Sequence, residues 1–513
     1  MGHETELKFV GPEDAVMRLR GSPALAAYSK VQHARTRTLK AIYFDTDDLA
    51  LRKAGYVLRV RDEGGRCVQT VKTVNGVSVA TRTEIKSFVR KQRPSISAIE
   101  DDTVRAAVAK LLRGAKLKPV FGTETQRMTM RIAPDTGSEI EVAFDSGAIN
   151  CGETKLPINE VELELLRGPP ASLVACARTL ITGSDLVLSL QSKSERGYVQ
   201  VRQATSLPVA AERVHLPPRA NADEAFGSIV AHCLRHLMGN WAAVVDVRDA
   251  EGVHQMRVAL RRLRSALSLF AAPFRPAMAP MEDEVRWLGS VLGRARDLDV
   301  LLEEVFKPVA EAHGSDARLR ALADLVRERR VTAWDELLAA LGSERFRKLV
   351  FETSAATLLR PWAQAAAGGG EALLPADKFA RERLAARYAR VRKIGKRIGV
   401  LDETERHALR IKLKKLRYAV DFFASLWPKR RTEAFRERLG ALQDVLGEMN
   451  DAAVARALVG DILAARTNAA EAQAIAYAAG VVVGWHVGHL RDRAEKLEKR
   501  WQAFVAADPP WVR

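Results

Sequence analysis

Alternating apolar and polar residues mark the first 203 residues as a run of β-strands. A period of two is typical of strands with one buried face. The segments that follow it are 5–9, 56–62, 67–73, 82–88, 126–132, 139–145 and 159–165. Helical patterns interrupt the run at about 12–20, 98–113 and 170–182. Because strands follow one another without strict alternation with helices, the pattern predicts an α+β domain with an antiparallel β-barrel.

The chain beyond residue 220 has helical periodicity instead. It is rich in Ala, Leu, Arg and Glu, and its apolar residues recur with a period near 3.6. Residues 204–222 contain three prolines and no periodicity, so we interpret 204–220 as a linker. The sequence therefore predicts two domains, an α+β domain at 1–203 and an all-α domain at 221–513.

The helical part contains an internal repeat. VHQMRVALRRLRSALSLF (253–270) aligns with RHALRIKLKKLRYAVDFF (406–423), which pairs His254 with His407. The segments LGRARDLDV (292–300) and LGEMNDAAV (446–454) form a second, weaker match. Two copies of one helical unit follow, at about 221–364 and 375–513.

The charge of the chain points to polyanionic partners. Lys and Arg number 81 against 63 Asp and Glu, a net charge of +18. Aromatic residues are only 6% of the chain, which disfavours single-stranded nucleic acid as the partner because its bases stack on aromatic rings. No apolar run is long enough for a membrane span. The four cysteines form no CxxC pair, and the N-terminus has no signal-peptide pattern, so we expect a cytoplasmic protein.

Charged residues two positions apart share one face of each predicted strand. The rows are Glu4, Glu6 and Lys8; Arg59 and Arg61; Arg82, Glu84 and Lys86; Arg127 and Arg131; Glu141 and Asp145; and Glu160, Glu162 and Glu164. They form either a solvated outer face or the lining of a polar barrel lumen. Arg and Lys suit phosphate oxygens, whereas carboxylates suit Mg²⁺. Both kinds of row in one lumen predict a metal–polyphosphate site.

These rows resemble the motifs of the CYTH, or triphosphate tunnel metalloenzyme, superfamily. The matching segments are ETELKF (4–9), IYFDT (42–46), LRVRDE (58–63), VKT (71–73), RTEIK (82–86), the strand around Arg127, VELEL (161–165) and SKSERGY (192–198). The resemblance implies an eight-stranded antiparallel tunnel that binds triphosphates with a divalent metal, Mg²⁺ or alternatively Mn²⁺.

The resemblance also implies roles for individual residues. The implied catalytic residues are Glu4, Glu6, Lys8, Glu162 and Glu164, and the implied metal ligands are Glu4, Glu6, Glu162, Glu164 and Asp145. The implied phosphate-binding residues are Lys8, Arg59, Arg61, Lys72, Arg127 and Lys193, with Arg37 and Arg196 as further candidates. The roles of Glu84 and Glu141 stay open between metal binding and the orientation of basic side chains.

The helical part resembles the CHAD domain, an all-α domain of two four-helix repeats. The matching segments are HQMRVALRRLR (254–264), RARDLDV (294–300), HALRIKLKKLRY (407–418) and GEMNDAAV (447–454). The resemblance implies polyphosphate binding by His254, Arg257, Arg261, Arg264, His407, Arg410, Lys414 and Arg417. The two copies differ, because Ala259 occupies the position of Lys412 and Asn450 the position of Arg296.

A CYTH domain followed by a CHAD domain resembles the domain order of bacterial inorganic triphosphatases. The expected function is metal-dependent hydrolysis of inorganic triphosphate to pyrophosphate and phosphate, with polyphosphate held by the helical domain. One alternative is a protein that binds polyphosphate granules with little catalysis. Another is a thiamine triphosphatase or adenylate cyclase of the same superfamily. Membrane association is not expected, and nucleic-acid binding ranks below these alternatives.

Overall fold

A computed structural model of the 513-residue chain describes residues 2–73, 81–201, 208–314, 316–365, 370–464, 469–488 and 490–512. The chain folds into two compact units. The first comprises Met1–Val209, Met238–Arg248 and Gly342–Arg360, and the second comprises Ala210–Leu237, Asp249–Leu341 and Pro361–Arg513.

The first unit is built on one antiparallel sheet. Its strands are β1 (Gly2–Val10), β2 (Ser29–Asp45), β3 (Tyr56–Asp62), β4 (Cys67–Thr73), β5 (Thr81–Val89), β6 (Lys118–Ala133), β7 (Glu139–Cys151), β8 (Thr154–Arg167) and β9 (Val187–Leu188). The strand order is β5-β4-β3-β2-β6-β7-β8-β1-β9. Strand β1 pairs with β8 over Glu6–Val10 and with β5 over Gly2–Thr5.

The predicted antiparallel sheet followed by a helical part is confirmed. The described sheet has nine strands, where the sequence predicted eight. The difference is β9, a two-residue strand that pairs with Phe9 and Val10 of β1.

Helices cover the apolar face of the sheet. The helices before the linker are α1 (Glu13–Arg20), α2 (Pro23–Ala26), α3 (Ala50–Lys53), α4 (Asp102–Leu112), α5 (Pro170–Ile181) and α6 (Lys193–Val201). Leu58 and Val71 of the sheet are buried with Leu51 of α3 and Val108 of α4. Because side chains alternate across a strand, this packing directs the charged rows to the opposite face.

Every regular element described beyond residue 221 is a helix. The α-helices are α7 (Ala222–Gly239), α8 (Trp241–Val245), α9 (Ala250–Leu269), α10 (Ala271–Val300), α11 (Lys307–His313), α12 (Ala317–Leu341), α13 (Glu344–Leu359), α14 (Pro361–Ala365), α15 (Ala376–Gly395), α16 (Glu403–Phe422), α17 (Lys429–Ala464), α18 (Ala469–Gly488) and α19 (Leu490–Val505). A π-helical segment, Leu301–Phe306, lies between α10 and α11. Among the described helices, none combines the length and apolar character that a bilayer crossing needs.

The sequence repeat corresponds to two matching helices. Helices α9 and α16 are both 20 residues long. Each begins with an aspartate whose carboxylate accepts a backbone hydrogen bond: Asp249 from Gly252 (2.9 Å) and Asp402 from Glu405 (2.8 Å). The repeat thus preserves the helix start as well as the basic residues.

Helix α13 belongs to the first unit although it lies far along the chain. Phe351 packs against Phe9 of β1, with ring centroids 6.1 Å apart. Arg178 of α5 donates two 2.8 Å hydrogen bonds to the carboxylate of Glu352. Helix α13 therefore supports β1, the strand that carries Glu6 and Lys8.

Candidate functional site

A polar cavity of about 240 Å³ lies within the first unit and is lined by side chains from each of β1–β8 and from α6. Of the predicted site residues, it brings together Glu6, Lys8, Arg59, Arg61, Lys72, Arg127, Asp145, Glu162, Glu164 and Lys193, and it also includes Glu84 and Glu141. The backbone of Glu4 lies on β1 opposite Arg82, but its side chain lies outside the described part of the chain. The lining does not include Arg37.

Lys193 lies at the centre of a carboxylate cluster. Its Nζ is 2.8 Å from Asp145, 2.6 Å from Glu160 and 2.9 Å from Glu162. Burial alone would lower the pKa of Lys193, but the three carboxylates raise it above its usual value. The ammonium group therefore stays charged and holds β7, β8 and the start of α6 together.

Arg127 extends this ion network. It donates to both oxygens of Asp145, at 2.7 and 2.6 Å, and also pairs with Glu162. Burial alone would raise the pKa of Glu162, but Arg127 and Lys193 lower it well below its usual value. Arg196, one turn along α6, pairs with Glu160 at 2.8 Å. Asp145, Glu160 and Glu162 are therefore all bonded to protein cations.

Basic side chains from β3 and β4 line another part of the cavity. Lys72 pairs with Glu84, and Arg59 Nη2 lies 4.0 Å from the same carboxylate. Burial and the nearby Arg59 lower the pKa of Lys72 to about 8, against the opposing effect of Glu84. The buried Nε of Arg59 has no hydrogen-bond acceptor among the described residues. Arg59 and Lys72 thus place two cations beside one carboxylate of the cavity lining.

A row of carboxylates runs across three neighbouring strands. Glu6 of β1 lies opposite Glu164 of β8, which lies opposite Glu141 of β7. All three line the cavity. Like charges directly opposite each other destabilise a sheet, so this row favours a cation between the carboxylates.

A larger cleft of about 860 Å³ lies in the second unit. It is lined by seven of the eight residues predicted for polyphosphate: His254, Arg257, Arg261, His407, Arg410, Lys414 and Arg417. The basic faces of the two repeats therefore meet in one cleft. Arg264 is exposed and is not part of this lining.

Carboxylates offset part of the positive charge of the cleft. Arg257 pairs with Asp297 at 3.0 Å, and Arg296 pairs with Glu304 at 2.9 Å. The buried Nε of Arg261 has no hydrogen-bond acceptor among the described residues. Burial and the neighbouring Arg296 lower the pKa of His254, so its imidazole is neutral at pH 7 and is able to accept or donate a hydrogen bond.

Comparison with known domains identifies both units. Residues 2–198 match the CYTH domain, and residues 228–460 match the CHAD domain. The chain joins a CYTH domain to a CHAD domain.

Individual relatives agree with these assignments. Over 179 residues, the chain is 32% identical to an inorganic triphosphatase of Haemophilus influenzae, a match that covers 34% of this chain and 49% of that protein. It thus spans about half the length of that relative. An uncharacterized protein of Mycobacterium tuberculosis is 28% identical over 491 residues, which is 90% of each chain. The crystal structure of the CHAD domain from the plant Ricinus communis is 31% identical, covers 60% of this chain and 99% of that structure, and has a TM-score of 0.52.

The CYTH domain contains two groups of carboxylates that differ as metal sites. Oxygens of Asp145, Glu160 and Glu162 lie within 4.8 Å of one another, but the Lys193 ammonium already contacts all three. The row of Glu6, Glu164 and Glu141 offers the hard oxygen ligands that Mg²⁺ prefers. Glu141 of this row also pairs with Arg131, with 3.5 Å between the Arg131 Nε and the carboxylate, so each group has a protein cation beside it.

Some lining residues of the CYTH cavity were not assigned from the sequence. They include Tyr43 of β2, Thr123 and Thr125 of β6, Ser192 just before α6 and Ser194 within it. The sequence analysis placed Glu160 in a charged row but gave it no role. Its carboxylate pairs with Lys193. Tyr43 could have been predicted from the alternation of residues 41–45, which puts it on the same face of β2 as Ala41, another lining residue.

Proposed function

We propose that the CYTH domain hydrolyses inorganic triphosphate to pyrophosphate and phosphate with the help of a divalent metal ion, Mg²⁺ or alternatively Mn²⁺. The observation that carries the proposal is the cavity in which basic side chains and a row of carboxylates face one another. Similarity to the Haemophilus triphosphatase supports the same chemistry. The lining is mostly charged or hydroxylated, which favours an inorganic substrate over thiamine triphosphate or a nucleotide.

The eight long strands form a closed tunnel in this proposal. The pairing of β1 with both β8 and β5 supports closure, because it joins the two ends of the strand order. Side chains from all eight strands around one cavity are consistent with the lumen of such a tunnel.

Basic side chains bind and orient the substrate. Lys8, Arg59, Arg61 and Lys72 neutralise phosphate oxygens and hold the chain of phosphates in one direction. Arg127 is already fixed by Asp145 and Glu162, so it binds phosphate without first losing side-chain freedom. In this proposal, Lys193 mainly positions these carboxylates.

The metal ion is held by Glu6 and Glu164, together with Glu4 or Glu141. When bound, it supplies positive charge at the phosphoryl group under attack. Hydrolysis breaks one phosphoanhydride P–O bond, and water provides the oxygen of the new phosphate. We propose that Glu6 or Glu164 accepts a hydrogen bond from this water and orients it.

The CHAD domain binds polyphosphate in the cleft between its repeats. The residues proposed for this role lie on α9 and α16, and both sets of basic side chains line the cleft. In this proposal, α9 and α16 are equivalent helices of two four-helix repeats, and the two repeats share one ligand. A chain that only targets polyphosphate granules would use the same cleft and leave the CYTH cavity without catalysis.

The first test measures phosphate release from inorganic triphosphate by the purified full chain, with Mg²⁺ and with EDTA. Thiamine triphosphate and ATP are assayed in parallel. We expect fast, metal-dependent release from triphosphate and slow release from the other two. No release from any substrate would favour the granule-binding alternative, and faster release from an organic triphosphate would favour the other members of the superfamily.

The second test measures polyphosphate affinity. The double variant R410Q/K414Q removes two positive charges from the cleft and is expected to bind long-chain polyphosphate about tenfold more weakly. Unchanged affinity would place the binding elsewhere.

A further inference from the structure

A second group of basic residues lies on the CHAD domain away from the cleft. Helix α15 presents Arg383, Arg387 and Arg390 on one face, since they are four and three residues apart. The outer basic patch comprises these three residues with Arg264 of α9 and Lys412 and Lys415 of α16. None of the six lines the cleft.

Arg387 joins the three helices of the patch. Its Nη1 donates to the carbonyl oxygen of Lys415 (2.8 Å) and to the hydroxyl of Ser265 (3.2 Å), and its Nη2 donates to the carbonyl oxygen of Ser265 (3.3 Å). Neutral acceptors thus fix its position without cancelling its charge.

The patch cations repel one another. Burial, followed by Arg390 and Arg383, lowers the pKa of Arg387 to about 10. Burial also lowers the pKa of Lys415, and Arg387, Lys412 and Arg264 add to the effect. These effects agree with the hydrogen bonds of Arg387 in placing each of the other patch cations near Arg387 or Lys415.

Among the described residues, five of the six patch side chains, all but Arg383, lack the ion pairs found elsewhere on this domain. Across the described part of the chain, no carboxylate lies within 4.0 Å of the charged atoms of Arg264, Arg387, Arg390, Lys412 or Lys415. By contrast, two exposed arginines of α10 are paired, Arg286 with Asp283 and Arg294 with Glu336. Arg264, Arg390 and Lys415 are exposed and accessible to a ligand.

The chemistry of the patch favours a ligand recognised by charge alone. Tyr388 is the aromatic residue between Arg387 and Arg390 in the sequence, but its ring packs against Phe435, Phe504 and Trp511. It is therefore unavailable for stacking with a base, which single-stranded nucleic acid would require. A linear polyphosphate presents only negatively charged oxygens and needs no stacking.

We propose that the outer basic patch is a second binding surface for a linear inorganic polyphosphate chain, separate from the cleft. Only the choice of ligand rests on the proposed function of the CHAD domain. The two surfaces share helices α9 and α16, so a long chain gains affinity by occupying both, whereas a short one occupies the cleft alone.

The test compares three variants of the full chain for binding of long-chain polyphosphate and of triphosphate over a range of salt concentrations. The patch variant is R390Q/K412Q/K415Q, and the cleft variant is R410Q/K414Q. The matched control is R286Q/R294Q/R327Q. Like the patch variant, it removes three positive charges, but these charges belong to exposed ion pairs elsewhere on the same domain. Thermal unfolding midpoints verify that each variant is folded.

We expect the patch variant to bind long-chain polyphosphate about fivefold to tenfold more weakly, with a shallower salt dependence, while the control changes less than about twofold. A patch variant that matches the control would overturn the proposal. So would a patch variant that loses affinity for a DNA duplex but keeps its affinity for polyphosphate. If only the cleft variant loses binding, the proposed function stands and the patch proposal is rejected. If the unmodified chain does not bind polyphosphate, both proposals are rejected.

Discussion

Arg127 and Asp145 form a bidentate ion pair inside the CYTH cavity, with N–O distances of 2.7 and 2.6 Å. The resemblance to the CYTH superfamily implied phosphate binding for Arg127 and metal binding for Asp145. Asp145 is fully buried, and its oxygens are bonded to Arg127 and Lys193. In this arrangement, Asp145 holds two cations of the cavity lining in place.

Replacing Lys193 tests the carboxylate cluster. Lys193→Met leaves the buried Asp145 and Glu160 close together without their shared ammonium. We expect the free energy of unfolding, measured in urea by circular dichroism, to fall by about 3–5 kcal/mol. Adding Asp145→Asn should recover part of this loss, because it removes one of the neighbouring negative charges. Equal stability of Lys193→Met and the unmodified chain would show that the ammonium is dispensable.

Glu6 tests the assignment of the metal site. Glu6→Gln removes one carboxylate from the row opposite Glu164, so we expect triphosphate hydrolysis at fixed Mg²⁺ to fall on the order of 100-fold. Raising Mg²⁺ should restore part of the rate. The matched control, Glu153→Gln, changes an exposed acid between β7 and β8 and should leave the rate unchanged. Near-normal hydrolysis by Glu6→Gln would contradict the site.

The lowered pKa of Lys72 predicts that substrate binding depends on pH. With a pKa of about 8, its side chain is charged below pH 8 and loses its proton as the pH rises further. The affinity for triphosphate, measured in EDTA so that no metal intervenes, should therefore fall above about pH 8. Lys72→Arg keeps its charge over this range because a guanidinium has a pKa above about 12. Parallel affinity profiles for the two chains would exclude Lys72 as the titrating group.

Phe351 and Glu352 test the contribution of α13 to the first unit. Phe351 is buried against Phe9, so Phe351→Ala should lower the free energy of unfolding by about 3–5 kcal/mol. Glu352→Gln breaks a largely exposed ion pair and should cost no more than about 1 kcal/mol. Hydrogen exchange of the β1 and β9 amides should rise in the first variant and stay constant in the second. The reverse order would mean that charge, not packing, holds α13.

Much of the sheet was predictable because its strands have one apolar and one charged face. The alternation located β1, β3–β5, β7, β8 and the second half of β6. It missed β2, because residues 29–38 of this strand are almost all exposed and carry no alternating pattern. It also missed β9, which is too short for any periodicity to register.

The composition of the site was predictable, whereas its pairings were not. The resemblance to the CYTH superfamily implied that Lys193 and Glu162 belong to the same site, but their direct contact joins residues 31 positions apart and depends on how α6 lies across the sheet. Helical spacing likewise put Arg264 on the arc of Arg257 and Arg261. It lies outside the cleft because which part of a helix faces a cleft depends on the neighbouring helices.

The position of α13 has a consequence during synthesis on the ribosome. Strands β1–β9 emerge well before residues 344–359, and at about 5–20 residues per second the delay is about 10–30 s. Throughout this interval the surface that Phe351 later covers is exposed to solvent and to chaperones. The strands of the CYTH domain are thus synthesised first, but their packing is complete only after α13, a helix encoded in the region that follows, has been synthesised.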